Sequence, residues 1–363
     1  MFKLATKEMG FSKVKYGLIG LILFLIASLV LIVSGLARGL SNDNIAALET
    51  MTVDDFYVSE DSENVLDQSG FLLEDLIAEV ERGQGWEPLI TQSLRLDHAE
   101  NESKLAVTLI PVLPSDQLYP GVIEGEDLQA NDQLNVVIDQ TMKADGVSIG
   151  DTLHAEDLEL YFTVIGFTEN QTYRHAPVIY MSEEAFYVEE ISPHKVANAV
   201  VLTESNEEVR KTISATLADG VWVNRSDIVD AVPGHSSEQM SLNMMIFFLI
   251  VISVFVLGAF FYILTIQKLN QFGVLKAIGA KNKFLIGTTL LQVCILTIIS
   301  LTLAVLFTWF TSTILPEGMP FDFNLLNIAI YTGLMLIVSL LGALISSRRI
   351  IKVDPQQAMG RAE

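Results

Sequence analysis

Four stretches of the chain carry no charge for longer than a soluble fold can use. No Asp, Glu, Lys or Arg occurs between Glu238 and Lys268, between Lys283 and Glu317, or between Asp322 and Arg348, nor in residues 17–36. A bilayer core of about 30 Å is crossed by about 20 apolar residues in a helix. The windows 17–36, 244–266, 285–310 and 325–347 all meet that length, so four transmembrane α-helices are expected. The first window follows Lys3, Lys7, Lys13 and Lys15, as the core of a signal peptide would. Its apolar run is too long for one and no small-x-small cleavage site follows, so a retained anchor is expected.

The basic residues give the orientation. They cluster before the first window, in the loop holding Lys268, Lys276, Lys281 and Lys283, and after the last window at Arg348, Arg349 and Lys352. The positive-inside rule sends all three clusters, and both termini, to the cytoplasm. Residues 41–239 and the loop "PEGMPFDFN" then lie outside. Residues 41–239 hold 9 Lys and Arg against 39 Asp and Glu, a net of −30; the rest holds 13 against 5, giving −22 for the 363-residue chain. The acidity belongs to the outer segment, where it reads as a solvated surface and not as a nucleic-acid partner. The single cysteine, Cys294, lies in the third window, so the outer segment has no disulfide.

Within that segment "QLNVVID", "LELYFTVIGFT", "APVIYMS" and "VANAVVLT" read as strands. "ESNEEVRKTISATLAD" reads as a helix with an apolar stripe at Val209, Ile213 and Leu217. The expected architecture is a large extracellular α+β domain between helices 1 and 2. Its divisions are a cytoplasmic N-terminus with the first span (1–40), the extracellular domain (41–239), the second span (240–267), a cytoplasmic coupling loop (268–284), spans three and four (285–347) and a cytoplasmic tail (348–363).

Several chemistries have no motif to carry them. There is no G-x-x-x-x-G-K-[ST] loop for ATP, no H-E-x-x-H, no paired cysteines and no G-x-S-x-G. His98, His154, His175, His194 and His235 are scattered, none spaced as a metal pair on a helix, and all but His235 read as surface or capping residues. No acids stand out as a catalytic pair, so an enzyme is not expected.

The loop "TIQKLNQFGVLKAIGAKNKFLI" is mildly basic and carries Phe272, Val274, Leu275 and Ile278 on a short segment that Gly273 and Gly279 punctuate. A short amphipathic helix at the membrane surface presents such residues to a partner groove or to lipid. This loop, with the tail "SSRRIIKVDPQQAMG" and the order of one span, a large domain and three more spans, resembles the permeases of MacB/FtsX-type ABC transporters. The resemblance implies a homodimer embedded in lipid. It also implies a separate cytoplasmic ATPase, holding ATP and Mg, docked on Phe272, Gly273, Val274, Leu275, Lys276, Ala277, Ile278 and Gly279. No intrinsic cofactor is implied. Within the family, the N-terminal stretch through "ARGL" and "SSEQMSLNMMIFFLIVIS" are most similar to haem-efflux permeases of Gram-positive bacteria.

That similarity gives the mouth of the second span a meaning. Haem is flat, largely apolar and membrane-partitioning, so a pump would capture it sideways from the outer leaflet. Its iron accepts imidazole, thioether or oxygen ligands; carboxylate suits ferric iron and methionine is softer. Glu238 and Met240 are the preferred iron ligands, with Met244, Met245 and His235 as further candidates and Phe247 and Phe248 able to stack on a porphyrin. Met244 and Met245 read better as packing filler, and an acid at a helix start also suits the helix dipole. At about 100° per residue, Glu238 and Met245 share one face and Met240 and Met244 nearly the opposite one, so all four cannot line one pocket from one straight helix: either the helix starts after Glu238 or only one pair contacts the ligand. Phe56 and Tyr57 fit an entrance or a core, and Arg38 is the nearest cation for a propionate or a lipid headgroup. Two alternatives remain: the same fold exporting an antimicrobial peptide, lipid or lipoprotein, or a non-transporting mechanical regulator of a cell-wall hydrolase.

Overall fold

The computed structural model describes residues 2–79, 85–98, 103–113, 117–130, 134–188, 191, 196–217, 219–316 and 319–351. His194, Lys352 and the rest of the tail lie outside these residues. The described helices are α1 (Phe2–Phe11), α2 (Lys13–Asp43), α3 (Ala46–Thr50), α4 (Glu74–Glu79), α5 (Glu183–Val188), α6 (Glu207–Thr216), α7 (Arg225–Ala231), α8 (His235–Gln267), α9 (Leu269–Ala277), α10 (Asn282–Ile314) and α11 (Leu325–Ile351). Of these α2, α8, α10 and the Leu325–Ser347 part of α11 are long and apolar enough to cross a membrane. The chain divides into two compact units: residues 1–38, 241–315 and 321–363, and residues 39–240 with 316–320.

In the first unit the spans meet through small residues. Ser300 Oγ of α10 donates to the Gly20 carbonyl of α2 at 3.0 Å, and a Cβ on Gly20 would lie 3.1 Å from Leu296 Cδ1. Without a hydrophobic drive between helices in lipid, such close backbone approach is what packing rests on. Around it Tyr16, Leu23, Leu257, Phe261, Val293 and Ala343 form a core drawn from all four spans. Near Tyr16 a buried polar knot links Lys268 to Glu8 and Gln292.

The second unit is an α+β domain in which strands dominate. Its larger sheet runs in the order Thr172–Tyr173, Ala176–Ser182, Ser103–Val112, Gln92–His98, Thr152–Ala155, Leu160–Thr168, Glu124–Gly125, with Asn135–Asp139 pairing both Ala176–Ser182 and Leu160–Thr168. A four-stranded sheet follows the order Gly220–Asn224, Asp55–Ser59, Ala199–Leu202, Trp86–Leu89. Side chains alternate across a strand, and here both faces are buried. Ile179 and Met181 enter one core, while Val178 and Tyr180 enter the other; Val136 and Ile138 likewise oppose Val137. Strands covered on both sides need unbroken apolar runs, which is why "APVIYMS" and "NVVID" show no polar alternation. The helix of "ESNEEVRKTISATLAD" is α6, started by the Asn206 side chain accepting from the Glu208 and Val209 amides, with Val209 and Ile213 buried.

Candidate functional site at the start of the second span

Helix α8 begins directly after Pro233 and Gly234. Gly234 has φ +88°, a backbone setting that suits a residue without Cβ, and its carbonyl accepts the Glu238 amide at 2.9 Å. Glu238 is therefore inside the first turn of the helix, where a carboxylate complements unpaired amide groups. A helix starting after Glu238 is not what the chain forms. Glu238 and Met240 thus point about 160° apart.

The two faces have different surroundings. Glu238 turns to its own unit: its Oε2 accepts from Asn44 Nδ2 at 3.4 Å and lies 3.4 Å from His175 Nε2. On the other side of the ring, His175 Nδ1 is 3.0 Å from Asp43 Oδ2. His175 reaches this place because Arg174 and His175 form a two-residue turn with φ of +54° and +60°, the pattern of a hairpin turn whose twist matches its strands. The turn is stitched to the end of α2 by the Arg174 amide donating to the Asn44 carbonyl at 2.9 Å, and the Arg174 guanidinium pairs with Asp67.

The opposite side of α8 is bare. Met240 is 76% exposed and Met244 56%, and Phe247, Phe248 and Phe255 continue the exposed apolar surface. The Phe247 and Phe248 rings meet edge to face at 5.7 Å. Met245, less than about 30° from Glu238 in helical angle, is 43% exposed.

Two expectations are corrected, for His235 and Arg38, and of the two readings of Phe56 and Tyr57 the core one holds. His235 is 1% exposed, so it sits in the interior and not on a ligand-accessible surface; its Nδ1 has no hydrogen-bond partner. Phe56 and Tyr57 form no entrance: both are buried, Tyr57 with its hydroxyl on the Leu217 carbonyl at 2.8 Å. Arg38 is not a free cation, since its Nε donates to Asp322 Oδ2 at 3.0 Å. Among the described residues no cluster of three or more His, Cys, Asp or Glu is arranged to hold a metal ion.

The coupling loop also differs in detail. Gly273 does not break the segment: it is buried inside α9, as is Phe272, which packs on Leu285. The break falls at Gly279, φ +97°. Its amide bonds the Lys276 carbonyl while the Ala280 amide bonds that of Leu275, both at 2.9 Å, which closes the helix in a Schellman motif. Exposed apolar groups are left at Val274 and Ile278.

A family model described as FtsX-like permease, C-terminal, matches residues 243–355. Over 366 residues the chain is 31% identical to a protein of Staphylococcus haemolyticus named a hemin transport system permease protein, HrtB, with 99% of each chain covered. This chain belongs to the FtsX-like permeases. A Staphylococcus epidermidis protein of the same name is 29% identical over 362 residues, covering 98% of this permease and 99% of its relative. Among solved structures, the periplasmic region of MacB from Actinobacillus actinomycetemcomitans aligns with 53% of this permease and 96% of its own chain, at 15% identity and a TM-score of 0.36. The extracellular domain of the ABC-type transporter YknZ aligns at 16% identity and 0.32, covering 47% and 98%. Scores this low say nothing about function.

His175, Asp43 and Asn44 are the neighbours of Glu238 that sequence reasoning passed over. The two-residue spacing between "TY" and "APVIYMS" marks a hairpin, but Arg-His is not a residue pair that signals a φ > 0 turn.

Proposed function

We propose that this FtsX-like permease works as a dimer in the cell membrane. It takes haem from the outer leaflet and expels it, driven by ATP hydrolysed on a separate cytoplasmic ATPase. The observation that carries the reading is full-length similarity to relatives named hemin transport permeases, joined to a carboxylate and a bare thioether stripe at the start of α8. In this reading both termini are cytoplasmic and residues 41–239 face the exterior, as the distribution of lysine and arginine favours.

Glu238 and Met240 remain the proposed iron contacts. Because they point to opposite sides of one helix, a single copy presents either oxygen or sulfur to a given porphyrin, and two copies around a two-fold axis supply the second ligand. Phe247 and Phe248 offer ring faces to the macrocycle. His175 and Asn44 hold the Glu238 carboxylate while no iron is bound. Met244 and Met245 serve as packing around the ligand, and α9 with Gly279 meets the ATPase.

The test is optical. The chain purified from haem-fed cells should carry a Soret band that falls sharply when Glu238→Ala and Met240→Ala are combined. A colourless protein despite ample haem overturns the reading; ATPase stimulation by a peptide or lipid instead would identify a different cargo.

A further inference from the structure

Three groups that a membrane-embedded unit should avoid burying meet at one point. Lys268, the residue before α9, is 6% exposed. Its ammonium donates to Glu8 Oε2 on α1 at 2.6 Å and to Gln292 Oε1 on α10 at 2.7 Å. The Gln292 amide donates to the same Glu8 oxygen at 2.6 Å, and the Tyr16 hydroxyl donates to Gln292 Oε1 at 3.0 Å. Desolvating such an ion pair costs several kcal/mol per ion, and an apolar set of similar volume would be at least as stable. What the charges add is direction: α1 is held in one register beside the start of α9.

That register creates a groove of about 780 Å³ between α1 and α9. Lys7, Phe11 and Lys15 line one side; Gln271, Val274 and Leu275 line the other. Phe11 is 94% exposed. Glu8, the acid on this wall, is occupied by Lys268, while Lys7 and Lys15 have no ion-pair partner among the described residues. The groove is therefore positive and apolar, and one of its walls is α9 itself.

We infer that this groove is the seat of the partner ATPase, with α1 as its second wall. It takes an ATPase segment that combines carboxylates with an apolar side chain. Glu8 and Lys268 are the positioning residues that keep the two walls apart at a fixed spacing. The inference rests on the reading of the chain as an ATP-driven permease.

The test uses the full chain in nanodiscs of zwitterionic lipid and the co-purifying ABC ATPase, expressed and purified separately. Ile278→Asp at the end of α9, and the charge reversal Lys7→Glu on α1 with Lys15→Glu at the start of α2, should each raise the Kd at least about tenfold, because like charges facing each other across an interface exclude a partner. Glu8→Leu with Lys268→Leu should leave the unfolding temperature nearly unchanged yet raise the Kd about fivefold, through loss of preorganisation. If Ile278→Asp weakens binding while the Lys7/Lys15 and Glu8/Lys268 double variants bind as the parent does, the ATPase sits on α9 alone and the inference falls, leaving the permease reading intact. It falls equally if the charge reversal weakens only binding to phosphatidylglycerol vesicles. A parent chain that binds no ATPase removes the permease reading and this inference together.

Discussion

Two charged clusters stand near the two ends of α8, and they are built in opposite ways. At the start, Glu238, His175 and Asp43 are 23%, 40% and 26% exposed, with contacts of 3.0 and 3.4 Å. At the end, Lys268 and Glu8 are 8% and 23% exposed and meet at 2.6 Å, with Gln292 closing the triangle. Water screens the first set, so its members can trade partners at little cost. The second set has few other partners, and removing either charged member strands the other. A ligand site has to release its resting contacts, while a joint must not. The looser cluster is suited to the first task and the tighter one to the second.

The contrast can be broken first at its tight end. Lys268→Met alone should lower the unfolding free energy in detergent by about 3–5 kcal/mol, and Glu8→Leu with Lys268→Leu should restore most of it. Equal losses in both would show that the pair is not what holds the joint. At the loose end, Glu238→Ala with Met240→Ala should weaken haem retention about tenfold or more, equivalent to about 1.4 kcal/mol, as read from titrated Soret absorbance. Gly279→Ala, which forces a Cβ into the left-handed region, should cost about 1 kcal/mol of unfolding free energy. His175→Ala should change it by less than about 1 kcal/mol, because that cluster is partly exposed; a larger loss would make it a second joint.

Asp139 sharpens the comparison further, being a buried carboxylate with no ion-pair partner among the described residues. It accepts from the Thr141 amide at 2.9 Å, the Thr141 hydroxyl at 2.7 Å and the Gln171 amide at 2.7 Å. Burial nevertheless pushes its pKa above the ordinary value of 3.8. A raised carboxyl binds its proton more tightly folded than unfolded. Its contribution is therefore fully present below pH 3.8 and is lost as pH rises through the folded value. Relative to Asp139→Asn, the parent should lose stability as pH is raised across that window in thermal unfolding, and a flat difference would refute the assignment.

The spans were legible because charge is excluded from them over their full length, a signal that needs no tertiary information. The strands of the α+β domain were legible as apolar runs, since both of their faces are covered. The opposed directions of Glu238 and Met240 followed from helical spacing alone. The partners of Glu238 did not, because Asp43, Asn44 and His175 come from the end of one helix and the tip of a distant hairpin. Phe56 and Tyr57 show the reverse limit: nearness in sequence to a span said nothing about burial. Gly273 read as a breaker because glycine disfavours helix by about 1 kcal/mol, yet packing at Phe272 and Leu285 outweighs that preference. The knot at Lys268 left no trace in local pattern, since Glu8 lies 260 residues from Lys268 and 284 from Gln292.

Those separations have a consequence for biogenesis. Glu8 is synthesised before the α+β domain, but the lysine and glutamine that neutralise and cradle it emerge only after that domain and the second span are made. During that interval the carboxylate has to stay hydrated at the membrane surface, because nothing inside could accept it. The joint therefore closes late and only in a chain whose third span has been inserted, so its formation is a chemical record that the first three spans have been made and brought together.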